Sequence, residues 1–331
     1  MTRPYPPEVP EVPEKSARAA AGDAGFCRSG DARAARCVHV PHLRTTTPID
    51  APPATVAGAL RHAATAERAF DVPWLRVSAP TSVAETLVAG DEFALRVVAL
   101  PGALRLRVVR AEADALRTVL VAGPLPELEH ESLPVAAHGR TSLVESARWR
   151  APLGFGQLGR LGKFGRLGKR RGAAGAGLLR GLLARLLARR ARAVRELAEE
   201  WASRPVVVGA AIVSDGWLLA QQRRHPARDA GRWELPGGRV EPGEDESAAI
   251  ARECREELDV PVSPGERVGT DVPPRNGMLL RVHRATLAGG VPRAVEHRAL
   301  RWLSAPELSD VDWLDADRVL VGSLRELLRA E

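Results

Sequence analysis

Apolar and polar positions change their rhythm at about Pro205. Before it, Glu92–Val98, Leu104–Val109 and Leu116–Val121 are short β-branched runs bounded by Pro, Gly or acidic turns, and they predict strands. Leu178, Leu179, Leu182, Leu183, Leu186, Leu187, Val194 and Leu197 then recur at helical spacing, with Arg180, Arg185, Arg189 and Arg192 elsewhere on the surface. They predict one long amphipathic helix ending near Trp201. After Pro205, Val206–Val213 reads as a buried strand, Ser214-Asp215-Gly216 as a turn and Trp217–Ala220 as a second strand. Further strands are expected at Met278–His283 and Ala299–Leu303, with a closing helix from about Ala316 to Leu328. Ser247–Leu258 is a helix candidate, its apolar side formed by Ile250, Cys254 and Leu258 at i, i+4, i+8. The fold class implied is α+β, in two parts.

On that helix Glu253, Glu256 and Glu257 fall at i, i+3, i+4 and converge on another face. Bare carboxylates so close repel one another, and a divalent cation resolves the conflict. Oxygen donors without a nearby His or Cys point to Mg2+ or Mn2+ rather than zinc. Arg252 is placed to hold a carboxylate through bidentate bonding. A solvated acidic face is the usual meaning of E-x-x-E-E alone; the surrounding residues argue against it here.

Those residues run Gly238, Glu244, Arg252, Glu253, Cys254, Glu256, Glu257 and Val260, behind the lead-in Trp233-Glu-Leu-Pro-Gly-Gly238. The pattern resembles the Nudix box, G-x5-E-x7-R-E-U-x-E-E-x-G-U, with Asp259 where the family has glycine. Just past a helix end, glycine takes a left-handed conformation readily and Asp at a cost of order 1 kcal/mol. The resemblance spans Val206 to the C-terminus and implies a Nudix α/β/α sandwich. Gln222-Arg223, Gly231–Gly238, Glu296–Trp302 and Trp313–Asp317 bring it nearest to MutT-type and CTP-pyrophosphohydrolase-type enzymes.

This resemblance implies Mg2+-dependent cleavage of a nucleoside triphosphate to monophosphate and pyrophosphate, with Mn2+ as the alternative ion. Glu253, Glu256, Glu257 and the Gly237 carbonyl would hold the metal. Glu253 is the first choice for activating water, with Glu244 and Glu257 as alternatives and Arg252 in support. Arg223 would bind polyphosphate, Gly238 would line the substrate, and Glu296 or, by another alignment, Arg301 would supply a further group. Asp317 stands where enzymes acting on oxidised guanine carry Asn and cytidine-type relatives carry Asp, which favours dCTP or CTP ahead of 8-oxo-dGTP. A nucleotide-sensing module without catalysis is the competing class.

Length and charge modify this picture in three places. The 331 residues suffice for two domains, expected at 37–202 and 205–331, behind a Pro-, Ala- and charge-rich leader at 1–36 that reads as disordered. Net charge is +7, but the bases are nearly all Arg, as high-GC coding would produce. Fourteen of them lie between Ser146 and Arg195 with no acid among them. That segment holds a Gly/Arg-rich loop, at about 153–176, expected to be a mobile connector. Binding of nucleic acid or membrane through 146–195 is weighed against a stripe that packs on its own domain, and the second is preferred. No run reaches the ~20 apolar residues of a spanning helix, and three scattered cysteines suit a reducing cytoplasm.

Thr46-Thr-Pro-Ile-Asp50, then Ala51-Pro-Pro-Ala-Thr-Val56 opening a short helix, then strands and a long helix, is similar to the START-like SRPBCC superfamily. The resemblance implies an antiparallel sheet curved around the helix, and an apolar ligand as a partner. His130, His138 and Glu145 are placed near such a cavity without an assigned role. Since every chemical motif follows Pro205, residues 205–331 alone are expected to fold and to carry the activity.

Overall fold

The computed structural model describes residues 41–78, 85–98, 102–137, 140–150, 165–273 and 277–330. The expected leader at 1–36 lies outside them. Strands β1 (His42–Ile49), β2 (Leu75–Val77), β3 (Glu92–Val97), β4 (Leu104–Ala111), β5 (Leu116–Ala122), β6 (Glu127–Ala137) and β7 (Arg140–Arg150) form one antiparallel sheet. Its order is β1-β7-β6-β5-β4-β3-β2, so hairpins make every neighbour except β1 with β7. Alternation along β7 is plain: Thr141, Leu143, Glu145, Ala147 and Trp149 are buried on one face. β6 and β7, the longest of these strands, have polar residues at most alternate positions, which hides them from a search for apolar runs.

Helices α1 (Pro53–Arg61), α2 (Ala63–Phe70) and α3 (Gly165–Ala202) pack with this sheet. Proline at its first position presets the backbone of α1. Leu183, Leu186, Leu187, Val194, Leu197 and Trp201 of α3 are buried, while Arg180, Arg185 and Arg192 are exposed. The leucine stripe therefore packs on its own domain. α3 starts earlier than its pattern suggests, inside the segment expected to be a connector. A helix nucleated by its packed end extends through Ala-, Arg- and Leu-containing sequence at little cost per residue, glycines notwithstanding; the rest of the connector, 151–164, lies outside the described residues.

The second sheet contains β8 (Val206–Ser214), β9 (Trp217–Gln222), β10 (Trp233–Glu234), β11 (Val262–Val272), β12 (Leu279–Leu287) and β13 (Ala299–Leu303). Its order is β10-β9-β8-β12-β11, with β13 on β9, and β8 and β12 run parallel. Asp215 and Gly216 both take positive φ, 51° and 75°, as a two-residue hairpin requires. α4 (Glu246–Leu258) and α5 (Asp315–Ala330) cover opposite faces. Val208, Ala210 and Ile212 of β8 meet Ile250, Cys254 and Leu258 of α4. Ala211 and Val213 share the other core with Trp313, Leu320 and Leu324. This is the expected α/β/α sandwich. β11 has no sequence signal, because Pro264, Gly265 and Gly269 interrupt it and its pairing shifts register twice.

Residues 41–331 form one compact unit. Leu279 of β12, fully buried, belongs to the same apolar cluster as Ile49, Val56 and Trp201 of the first part. Among the described residues no helix is long and apolar enough to cross a membrane.

Candidate active site

The site begins with a loop laid along β8. Ala210 donates its N–H to the Pro236 carbonyl at 2.7 Å and Val208 to that of Gly238 at 2.8 Å, while Val240 donates to Val206 at 3.1 Å. Gly237, at φ 146°, comes so near β8 that a Cβ would stand 2.1 Å from the Val208 carbonyl oxygen. At Gly238 a Cβ would stand 2.1 Å from Oε1 of Glu253. Close approach of backbone thus requires glycine at 237, whereas a Cβ at Gly238 would push the Glu253 carboxylate out of its place.

Asp245 caps α4, its Oδ1 accepting from Ala248 N–H at 2.8 Å. Asp259 ends the helix in the left-handed conformation, φ 58° and ψ 34°, which the family's glycine would adopt freely. Between these caps, Arg252 is a hub. Nε and Nη2 donate to the two oxygens of Glu244, each at 3.1 Å, and Nη1 donates to Glu253 at 2.8 Å and to Glu256 at 3.1 Å. Nη2 also reaches the Arg239 carbonyl at 2.9 Å. Hydrogen bonds from Arg252 hold Glu244 below the usual carboxylate range, whereas burial moves Glu253 upward despite the same partner.

Glu257 turns to other partners. Its Oε2 accepts from Gln221 Nε2 and from Gly237 N–H, both at 2.9 Å. Nδ1 of His297 lies 3.7 Å from Oε1. His297 Nε2 meets Glu234 at 2.9 Å, and Glu234 pairs with Arg223 at 2.5 Å. Burial pushes the Glu257 carboxyl up, to about 7. The structure thus joins Arg223, Glu234, His297 and Glu257 in one polar row.

Sequence reasoning names Glu296 but not His297, Glu234 or Gln221. Glu296 is exposed, and its buried neighbour makes the contact. The register of β13 on β9 decides between them, and no local sequence signal carries that register. Arg301 pairs with Glu307 at 2.9 Å. Asp317 is buried and accepts from Leu235 N–H at 3.1 Å; burial, with Glu234 nearby, raises its carboxyl to about 7. The buried Cys254 thiol is pushed up to about 12 by burial and serves the core.

The donor set suits a hard divalent cation: the carboxylates of Glu244, Glu253 and Glu256 share the guanidinium of Arg252, and that of Glu257, held by Gln221 and the Gly237 N–H, projects from the same helix. Among the described residues no three acidic, His or Cys side chains already close on one point. Arg252 draws Glu253 and Glu256 to itself, so an ion would share them with that guanidinium.

In the first part of the chain, Glu145 is wholly buried. Arg190 pairs with its Oε1 at 2.5 Å, and Ser132 and His130 adjoin the same oxygen. Its Oε2 has no hydrogen-bond partner. His138 lies outside the described residues.

A model of the NUDIX domain matches residues 202–324. A Mycobacterium tuberculosis (strain H37Rv) protein named "Putative 8-oxo-dGTP diphosphatase 2" is 49% identical over 126 residues, covering 37% of this chain and 89% of its own. The protein named CTP pyrophosphohydrolase of Escherichia coli (strain K12) is 36% identical over 126 residues, covering 38% and 93%. The solution structure of the E. coli ORF135 protein, 35% identical, covers 38% of this chain and 92% of its own, with a TM-score of 0.34. With box, sandwich and nearly full-length relatives in agreement, the chain belongs to the Nudix family of hydrolases.

Proposed function

We propose that this Nudix hydrolase cleaves a nucleoside triphosphate to its monophosphate and pyrophosphate, using Mg2+ or Mn2+, and that residues 205–331 hold the chemistry. The observation that carries the reading is the cluster of Glu253, Glu256 and Glu244 around Arg252, beside Glu257 and the Gly237 peptide. Glu253, Glu256, Glu257 and the Gly237 carbonyl would hold the ion, which when bound neutralises charge on the phosphates. Glu253 gives Oε1 to Arg252, so Oε2 is the atom left to take a proton from the attacking water. Glu244 keeps Arg252 in place by its paired hydrogen bonds and is the alternative base, as is Glu257. Arg223, anchored through Glu234, stands to meet the polyphosphate. A soluble nucleotide substrate suits action in the cytoplasm.

For the base, Asp317 is the proposed reader. Ionised, it only accepts, which suits the N4 amino group of cytosine. Burial near neutrality lets it carry a proton as well and then donate and accept as Asn does. That observation keeps 8-oxo-dGTP as the second reading. Asp317→Asn is expected to cut kcat/KM for dCTP at least tenfold, since an unmet buried polar group costs ~1–3 kcal/mol. Relative preference should shift towards 8-oxo-dGTP. Competition kinetics with dCTP and 8-oxo-dGTP on both proteins decide it. A wild-type preference for 8-oxo-dGTP establishes the second reading, and an unchanged ratio in the variant removes Asp317 as reader.

A further inference from the structure

Helix α1 of the first part lies against β11 of the Nudix sandwich. Contact is so close at Gly58 that a Cβ there would stand 2.1 Å from the Asp271 carbonyl oxygen. Beside it the Asp271 side chain is fully buried. Its Oδ2 accepts from Thr55 Oγ1 at 2.6 Å and from Arg281 Nε at 3.3 Å, and its Oδ1 pairs with Arg267. A carboxylate removed from water is tolerated only when its oxygens are met, and here α1 supplies one of the donors.

The path continues to the catalytic helix. Nη1 of Arg281 donates to Glu246 Oε1 at 2.5 Å. Glu246 is the first residue of α4, and His283 Nε2 meets its other oxygen at 2.8 Å. About two helical turns further on stands Glu253. Arg281 thus ties Asp271 to Glu246 with two arms of one rigid, planar group. Nearby, the buried Arg61 of α1 donates to Thr270 Oγ1 at 3.4 Å and to the Leu87 carbonyl at 3.0 Å, which fixes α1 on the same strand.

We propose that Thr55 is a positioning residue for the Nudix helix: through Asp271 and Arg281 it fixes Glu246 and the first turn of α4. The first part of the chain then sets where the carboxylates of α4 stand. This rests on hydrolysis at that helix. Rigid elements linked by buried hydrogen bonds transmit position with little slack, and small misplacements of a reacting group are costly in rate.

Thr55→Val keeps the branched shape and removes the O–H. It is expected to lower kcat about fivefold with KM within about twofold, and Thr55→Ser restores kcat. Added to Glu246→Gln, it should slow the enzyme no further, because both break one path. Without substrate, amide exchange in the first turn of α4 should quicken about tenfold in Thr55→Val and return towards wild type in Thr55→Ser. Thr55→Ala serves the same comparison where the Val variant does not fold. Unchanged exchange in α4, or kinetic losses from Thr55 and Glu246 that multiply, overturns the proposal. A wild-type chain that hydrolyses no nucleotide overturns the functional reading instead, and the exchange measurement still decides the link.

Discussion

Glu253→Gln and Glu256→Gln are each expected to slow divalent-metal-dependent hydrolysis ~100-fold or more, as the loss of one charged ligand removes several kcal/mol of transition-state stabilisation. Both changes keep side-chain shape. Arg252 retains its paired hydrogen bonds to Glu244 in either variant, so the loop and α4 stay joined. Glu256 is more than half exposed and supports no core. Circular dichroism should therefore match wild type while activity falls. Gly238→Ala should reach a similar loss by another route, because its Cβ would claim the space of the Glu253 carboxylate. Activity within threefold of wild type for both Gln variants would contradict the assignment of these carboxylates.

Excising residues 205–331 is expected to give a weaker enzyme than the full chain, against what the placement of motifs alone suggests. The cut uncovers Leu279, which is fully buried among Ile49, Val56 and Trp201, and removes Thr55 from Asp271. Exposing one such leucine forfeits ~2 kcal/mol. For a domain of this size that lowers Tm by roughly 8 °C. Loss of the Thr55 link should add a several-fold fall in kcat. Thermal melts and kinetics of the fragment beside the full chain test this. Equal Tm and equal kcat would show that the first part contributes nothing to the site.

Much of the catalytic half was legible because its signals are local. Fixed spacing placed the carboxylates on one helical face, and α4, β8, β9 and the closing helix follow from periodicity. Residue type and place also led to a carboxylate held by two hydrogen bonds from Arg252 and to the left-handed Asp259, although Glu244 as that carboxylate comes from the fold alone. What could not be read depends on register and tertiary approach. β11 is masked by Pro264, Gly265 and Gly269, yet it carries Asp271 and the contact with α1. His297 rather than Glu296 faces Glu257 because β13 pairs with β9 in one register. In the first part, β6 and β7 bury Ser132 and Glu145 on a face where an apolar pattern is normally sought, so those strands gave no signal.

The bond that is broken separates this activity from other phosphate hydrolysis. Full-length protein should be incubated with Mg2+ and dCTP, CTP or 8-oxo-dGTP, and the products separated. Nucleoside monophosphate and pyrophosphate are expected in equal amounts, from at least one of these substrates, with turnover stopped by chelation of the metal. Release of nucleoside diphosphate and orthophosphate, or no turnover of any of them by folded protein with Mg2+ or Mn2+, would contradict it.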